Sequence, residues 1–472
     1  MNSLNRSIIP IVGIVWLLSA CVIGNKYSRT DLKLPNQYRT QAPVLTADTV
    51  LLPWRTFFND PILIDLLEQA LEKNNDLAVA KMTLQQLDLS YRQAKQRLTP
   101  TVDLYVGATR NWLSKSSLNG SLSEQYLGTN YLDDYSALLR VNWEADIWGK
   151  TKMQKEGAWA DYLSQRESGS ALKTTLIAQA AQAYYNLITL DELQRVAYRN
   201  VALGDSTVRM IRMQYASGLV TSLAVEQAEA QKKTAELLIP LGLQNIAIQE
   251  NALSILCGSY PDSIKRATNL SWGMEKAVFP TGVPALLLSR RPDVKSAEYA
   301  VISANARTGL AKTALYPTLS LTPSLGTNSF LLSGWFNLPG SIVKTMGANL
   351  TQPLLQRKTL KTAYETAVID QAKAVTRFKQ VVMNAVGEVS SDLNSLNRIE
   401  ERLTLIAQKQ ASLSKATQDA MLLYKSGMAT YLEVITAQNN ALLNELDAIS
   451  VKQERVNALT NLYRALGGGA DS

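Results

Sequence analysis

The sequence predicts a mainly α-helical protein with a small membrane-crossing β part, built from an internal duplication. Three observations carry that expectation. Two proline-free stretches are long enough for exceptional helices, four short segments alternate apolar and polar residues, and one turn signal recurs roughly 210 residues apart.

The first proline-free stretch runs from Gly149 to about Tyr215. Within it Leu172, Leu176, Ala180, Ala183, Leu187 and Leu190 recur at spacings of three and four. The second runs from Lys358 to about Tyr424 and is dominated by good helix formers. At ~1.5 Å per residue each helix would be roughly 100 Å long. The alanines on the apolar seam suit close, coiled-coil-like packing of helix on helix.

Each stretch ends on the same signal. Tyr215-Ala216-Ser217-Gly218-Leu219-Val220-Thr221 corresponds to Tyr424-Lys425-Ser426-Gly427-Met428-Ala429-Thr430. Glycine just past a helix stops it, and Thr221 or Thr430 can cap the next one. Returning helices to about Leu256 and Leu466 complete two helical hairpins.

The alternating segments come in two pairs. Val102, Leu104, Val106 and Ala108 oppose Asp103, Tyr105, Gly107 and Thr109; Ala137, Leu139, Val141 and Trp143 oppose Arg140, Asn142 and Glu144. In the second pair Leu319, Leu321 and Leu325 oppose Ser320, Thr322 and Ser324, while Ile342, Met346, Ala348 and Leu350 oppose Thr345, Gly347, Asn349 and Thr351. The expected strands are 101–112, 135–145, 318–327 and 342–352. Each is about the length a tilted strand needs to cross a bilayer. Trp112, Tyr135, Trp143 and Trp335 fall where an aromatic girdle would lie. Lys344 breaks the fourth pattern, at a position expected close to a loop. Soluble, half-buried hairpins are the alternative. Polar loops near 113–133 and 328–340 join the pairs.

The N-terminus reads as an address. Arg6 precedes an apolar run from Ile8 to Leu18, too short to span a bilayer and suited to a signal-peptide core. Leu18-Ser19-Ala20-Cys21 resembles a lipobox, with Cys21 acylated and Val22 favouring outer-membrane sorting; an ordinary signal peptide with an incidental cysteine is the alternative. Cys257, the only other cysteine, is expected to be a small buried hydrophobe near a helix end. The expected organisation is a signal peptide over 1–20, a lipid-anchored extended segment over 21–60 and a first repeat over 61–258. A segment over 259–290, a second repeat over 291–466 and a tail over 467–472 complete it.

Composition argues against chemistry. The chain has no histidine, the commonest general base and metal ligand, and its two cysteines allow neither a zinc cluster nor a disulfide framework. No nucleophile motif, phosphate loop or carboxylate pair stands out, so no catalytic residue, no metal and no cofactor is expected. The net charge of +8 is spread along the chain. Pairs such as Arg290-Arg291 and Arg357-Lys358 read as solvated helix faces, with no nucleic-acid footprint.

Four strands cannot close a barrel, because the smallest outer-membrane barrels need ~8. Unclosed edges in lipid would leave backbone groups unpaired at several kcal/mol each. Strands from several chains must therefore close one barrel, and the helices gathered with them would form a tube ending at the glycine tips.

At this point the sequence resembles a family. Arg290-Arg291-Pro292-Asp293-Val294 followed by Ala297-Glu298, Ala304, Ala306, Gly309, Ala311, Ala314 and Tyr316-Pro317 is similar to the TolC-like outer-membrane efflux factors. So are Trp54 through Phe57, Asp60-Pro61, Leu63, Ala70-Leu71, Asn74 and Trp143 through Lys150. The match is to the lipoprotein branch serving resistance-nodulation-division (RND) pumps, and it covers nearly the whole mature chain.

The resemblance implies a homotrimer with a 12-stranded β-barrel continued by a 12-helix periplasmic α-barrel, embedded in outer-membrane lipid. A periplasmic adaptor (membrane fusion) protein and an inner-membrane RND-type pump would be its partners. Carried over by position, Leu432 matches a hydrophobic constriction, Glu433 an acidic ring and Tyr424 a tyrosine latching neighbouring helices. Ordinary seam packing, a solvated surface acid and turn capping are the respective alternatives. Gly218, Leu219 and Thr221, with Gly427, Met428 and Thr430, match tips that meet the adaptor. Thr436 and Ala224 stand where relatives commonly carry Asp, and Gln356-Arg357-Lys358 replaces a usual Gly-Gly.

The expected function is passive conduction of drugs or other solutes. An exit duct for a type I protein or peptide secretion system, or a pore-less coiled-coil lipoprotein, are the competing readings.

Overall fold

The computed structural model describes residue 23 and residues 27–29, 31–39, 53–268 and 284–469. The signal peptide, Cys21, part of the 259–290 segment and the last three residues lie outside them. The chain divides into two compact units: residues 1–30, 85–163 and 298–376, and residues 31–84, 164–297 and 377–472. Each unit draws on both halves of the duplication.

The first unit holds the sheet. Strands β1 (Thr101–Trp112) and β2 (Tyr131–Ala145) pair antiparallel from Thr101↔Asn142 to Trp112↔Tyr131. The other side of β2 pairs with β3 (Thr318–Leu321) and β4 (Ser324–Ser329), through Trp143↔Leu321 and Tyr135↔Ser329. These in turn pair with β6 (Ala348–Thr351) and β5 (Ile342–Thr345), through Thr318↔Thr351 and Thr327↔Ile342.

Two of the four expected strands are therefore interrupted. Pro323 has no N–H to give Val141 of β2, and the third segment breaks there; the fourth opens beside it, at Met346-Gly347. The register nevertheless continues across the gap, and Val141 N–H donates to the Pro323 carbonyl at 2.9 Å. Lys344 lies in β5, opposite Leu325, with two residues between it and the loop that precedes the strand. The second segment starts at Tyr131, earlier than alternation suggested.

Helix α4 (Leu118–Leu127) occupies the expected loop before β2. Ser117 caps it by accepting from Gly120 N–H at 3.1 Å.

The second unit holds the helical core. Asp60 caps α2 (Pro61–Lys73) by accepting from Ile62 N–H at 2.9 Å, with proline at the first helical position. Its other oxygen accepts from the buried Tyr184 hydroxyl at 2.5 Å. Trp54, Phe57 and Phe58, of which the first two lie in α1 (Trp54–Phe57), pack with Tyr184, Leu253 and Tyr463 in one cluster. Cys257 caps the C-terminus of a returning helix, buried in the same cluster, and burial pushes its thiol up to about 11.

Arg291 corrects the solvated reading of the Arg290-Arg291 pair. It follows α7 (Leu287–Arg290) and precedes α8 (Pro292–Thr313), with only 4% of its surface exposed. It pairs with Asp293 at 2.7 Å and Glu388 at 2.8 Å, and donates to the Ala465 carbonyl at 3.1 Å. Burial works against the charge of Asp293, yet the Arg291 guanidinium holds that carboxyl below its ordinary range. Of the groups that hold Arg291, Glu388 lies nearly a hundred residues away along the chain.

Candidate functional site

The hairpins are built to one plan. Helices α5 (Lys150–Ala216) and α9 (Thr359–Lys425) each have 67 residues; their returning partners α6 (Ser222–Leu256) and α10 (Tyr431–Ala465) each have 35. Pro240 sits inside α6, where flanking turns carry the helix past the missing donor.

Gly218 and Gly427 take φ of 73° and 76°, the left-handed conformation that ends a helix. The N–H groups of Leu219 and Met428 then donate back to Gln214 and Leu423 carbonyls, both at 2.9 Å. Leu219 and Met428 are left exposed at the tips.

After the turns the two tips differ. Thr430 N–H donates to Glu433 Oε2 at 2.5 Å and its hydroxyl to the same oxygen at 3.2 Å, which ties the first turn of α10. Thr221 occupies the equivalent cap position, but its side chain makes no capping bond. The residue that would answer it, Ala224, is fully buried among Val208, Ile211, Ala228, Tyr424 and Val434.

Tyr424 belongs to that cluster, and its hydroxyl donates to Gln214 Oε1 across the hairpins. Burial raises its pKa. Leu432 is 54% exposed, and Glu433 and Thr436 are exposed as well. The structure thus brings Tyr424, Ala224 and Val434 into one packed knot and leaves Leu432, Glu433 and Thr436 on the surface of the same hairpin.

Several polar groups here were not singled out by sequence. Tyr431 donates to Gln227 at 2.7 Å, Arg212 pairs with Glu229 at 2.5 Å, and Gln438 donates to Thr207 at 3.1 Å. Gln231 donates to Asn439 at 3.1 Å. A signal existed: Gln231 and Gln438 interrupt otherwise apolar seams between Ala228 and Ala235, and between Val434 and Leu442.

The sheet carries a feature of its own. Val102, Leu104, Val106, Leu139 and Leu350 expose one apolar face. Among the described residues no helix is long and apolar enough to cross a membrane, and no group of acidic or thiol side chains could hold a metal ion.

A family model described as outer membrane efflux protein matches residues 66–259 and 283–468, which is most of the chain. The chain belongs to that family. Two matched stretches, one per half, agree with the duplication.

Its relatives in the family include the cation efflux system protein CusC of Escherichia coli (strain K12), 28% identical over 462 residues, covering 96% of this chain and 97% of that one. The pyoverdine export outer membrane protein OpmQ of Pseudomonas aeruginosa is 26% identical, covering 97% of each. A probable outer membrane lipoprotein, SilC of Salmonella typhimurium, is 26% identical over 97% of this chain and 98% of its own. A crystal structure of CusC superposes with a TM-score of 0.85 at 26% identity, covering 95% of this chain and all of that one. The protein is an outer-membrane efflux channel, with the fold of that family: long helical hairpins and a small antiparallel sheet from a duplicated unit.

Proposed function

We propose that three copies of this chain close one 12-stranded barrel in the outer membrane, and that their hairpins enclose the periplasmic duct. The observation that carries this is the open sheet. Among the described residues β1 pairs only with β2, and the fourth segment only with the third. Both edges would be orphaned in lipid, at several kcal/mol per unpaired group. The edge strands of one copy run antiparallel to each other, so β1 can continue the ladder with β5 and β6 of the next copy. That closure puts the exposed apolar face toward lipid and the polar face around a lumen.

Acylation at Cys21 anchors the assembly, a reading supported by the Ser19-Ala20-Cys21 pattern and by the lipoprotein description of SilC. The exposed tips at Gly218, Leu219, Thr221, Gly427, Met428 and Thr430 receive the periplasmic adaptor, and an inner-membrane RND-type pump supplies cargo and energy. Leu432 narrows and dewets the periplasmic aperture, Glu433 gives it an acidic ring, Thr436 lies one turn further along α10, and Tyr424 holds the two hairpins of a protomer together. No bond of the cargo is made or broken.

The names of the relatives cover cations and pyoverdine on one fold, which fits a duct that passes what its pump delivers. Native mass spectrometry of the detergent-solubilised protein is expected to give a three-chain species carrying acyl mass, and Cys21→Ser to lose the acyl mass while keeping three chains. A stable single chain would overturn the proposal.

A further inference from the structure

The polar face of the sheet carries an arrangement that the periplasmic gate does not use. Alternation places Asp103, Tyr105 and Gly107 of β1 on that face, with Asp134, Arg140 and Glu144 of β2. The polar-face positions of β3 to β6 are uncharged. Two of the four charged groups are accounted for: Glu144 is neutralised by Lys150 at 2.8 Å, and Asp134 accepts from Asn328 at 2.9 Å.

Asp103 and Arg140 remain. They stand directly opposite each other in the ladder, yet among the described residues neither forms an ion pair. Arg140 instead lays its guanidinium over the Tyr105 ring, 3.7 Å from the centroid. Such stacking suits arginine, whose planar, weakly hydrated head loses little by leaving water on one side.

Gly107 makes the platform possible. A Cβ there would lie 2.5 Å from the Tyr105 hydroxyl, so the bare glycine is the notch over which the ring lies. The result is a cation held at a fixed place on the wall, beside a carboxylate it does not neutralise by contact.

We propose that Arg140, seated on Tyr105, and Asp103 form a charge-selective site inside the β-barrel, separate from the gate at the hairpin tips. Threefold closure would make it a ring of alternating charges, suited to solutes that carry separated positive and negative groups. The inference rests on the closed, conducting barrel proposed above.

Reversal potentials of single channels under a potassium chloride gradient test it. Arg140→Gln leaves Asp103 unopposed and is expected to raise the K⁺-to-Cl⁻ permeability ratio about five-fold, roughly two-fold from each ion. That is the size expected of three unit charges about 10 Å from a water-filled axis at ~0.1 M salt. Asp103→Asn should lower the ratio by a similar factor, and the double variant should return it toward the starting value. Migration as a trimer on a native gel checks assembly; should Arg140→Gln fail to assemble, the opposite shift of Asp103→Asn decides alone. Channels whose ratio is unchanged in the assembled variants overturn the site. Wild-type protein that forms no channel at all would instead overturn the conduit.

Discussion

The two hairpins share a backbone and divide the chemistry between them. Helix lengths, glycine φ angles and turn hydrogen bonds match, yet equivalent positions carry different groups. Where the first hairpin has the buried alanines Ala183 and Ala224, the second has Asp392 and Glu433. Tyr215 is half exposed, whereas its counterpart Tyr424 is buried and hydrogen-bonded to Gln214. The duplicated frame therefore fixes where helices stop, while the second hairpin carries acids at two positions where the first has buried alanines.

The largest expected effect comes from forcing the first tip to copy the second. Ala224→Asp places a carboxylate in the apolar cluster of Val208, Ile211 and Tyr424, and burial should outweigh any capping gain. A loss of about 3 kcal/mol in unfolding free energy is expected from the cost of burying a charge, read by chemical denaturation. Equal or higher stability would mean that the tip opens to let the new acid reach Thr221.

Asp392 sharpens the comparison through pH. Burial, opposed by Arg464 and reinforced by Glu388, raises its carboxyl to about 6. A carboxyl whose folded pKa lies above its unfolded value near ~3.9 contributes stability that is complete below the unfolded value and lost as pH rises through about 6. Asp392→Asn should therefore raise stability by about 2 kcal/mol at pH 8 and hardly at all near pH 4. The same gain at both pH values would show that the side chain is solvated in the assembly.

Glu433 separates cap from charge. Glu433→Ala removes both and should cost about 1 kcal/mol, with a fall in cation preference in planar bilayers. Glu433→Gln can still reach the Thr430 N–H, so it should lower cation preference at little cost in stability. Selectivity unchanged in both variants would remove Glu433 from the aperture.

The smallest effect should distinguish the two tyrosines. Tyr424→Phe forfeits the bond to Gln214 and should cost up to about 1 kcal/mol, while Tyr215→Phe should be neutral in the same denaturation assay.

Much of this frame was legible in the sequence, because helix period, proline absence and glycine stops act locally. The long helices, their tips and the faces of β1 and β2 follow from such short-range rules. Three things did not. Pro323 interrupts the third segment by withholding a donor from Val141, a loss that depends on which strand lies beside it. Helix α4 formed in a stretch of Ser, Leu and Gly because Ser117 caps it, a signal too short to outweigh the loop-like composition. Arg291 was read as solvated because Glu388 and the Ala465 carbonyl come from distant helices.

At the hairpin tips, resemblance to the family brought forward Tyr424, Leu432 and Glu433. The packing that sets the exposed pair apart from the buried tyrosine depends on Ala224 and Gln214, contributed by the other hairpin.

Single-channel recording from the purified, reconstituted protein bears most directly on the conduit. Discrete conductance steps, from a species that migrates as three chains and becomes more cation-selective in Arg140→Gln, are the predicted result. A membrane that stays silent with correctly assembled protein present, under every applied voltage, would contradict it.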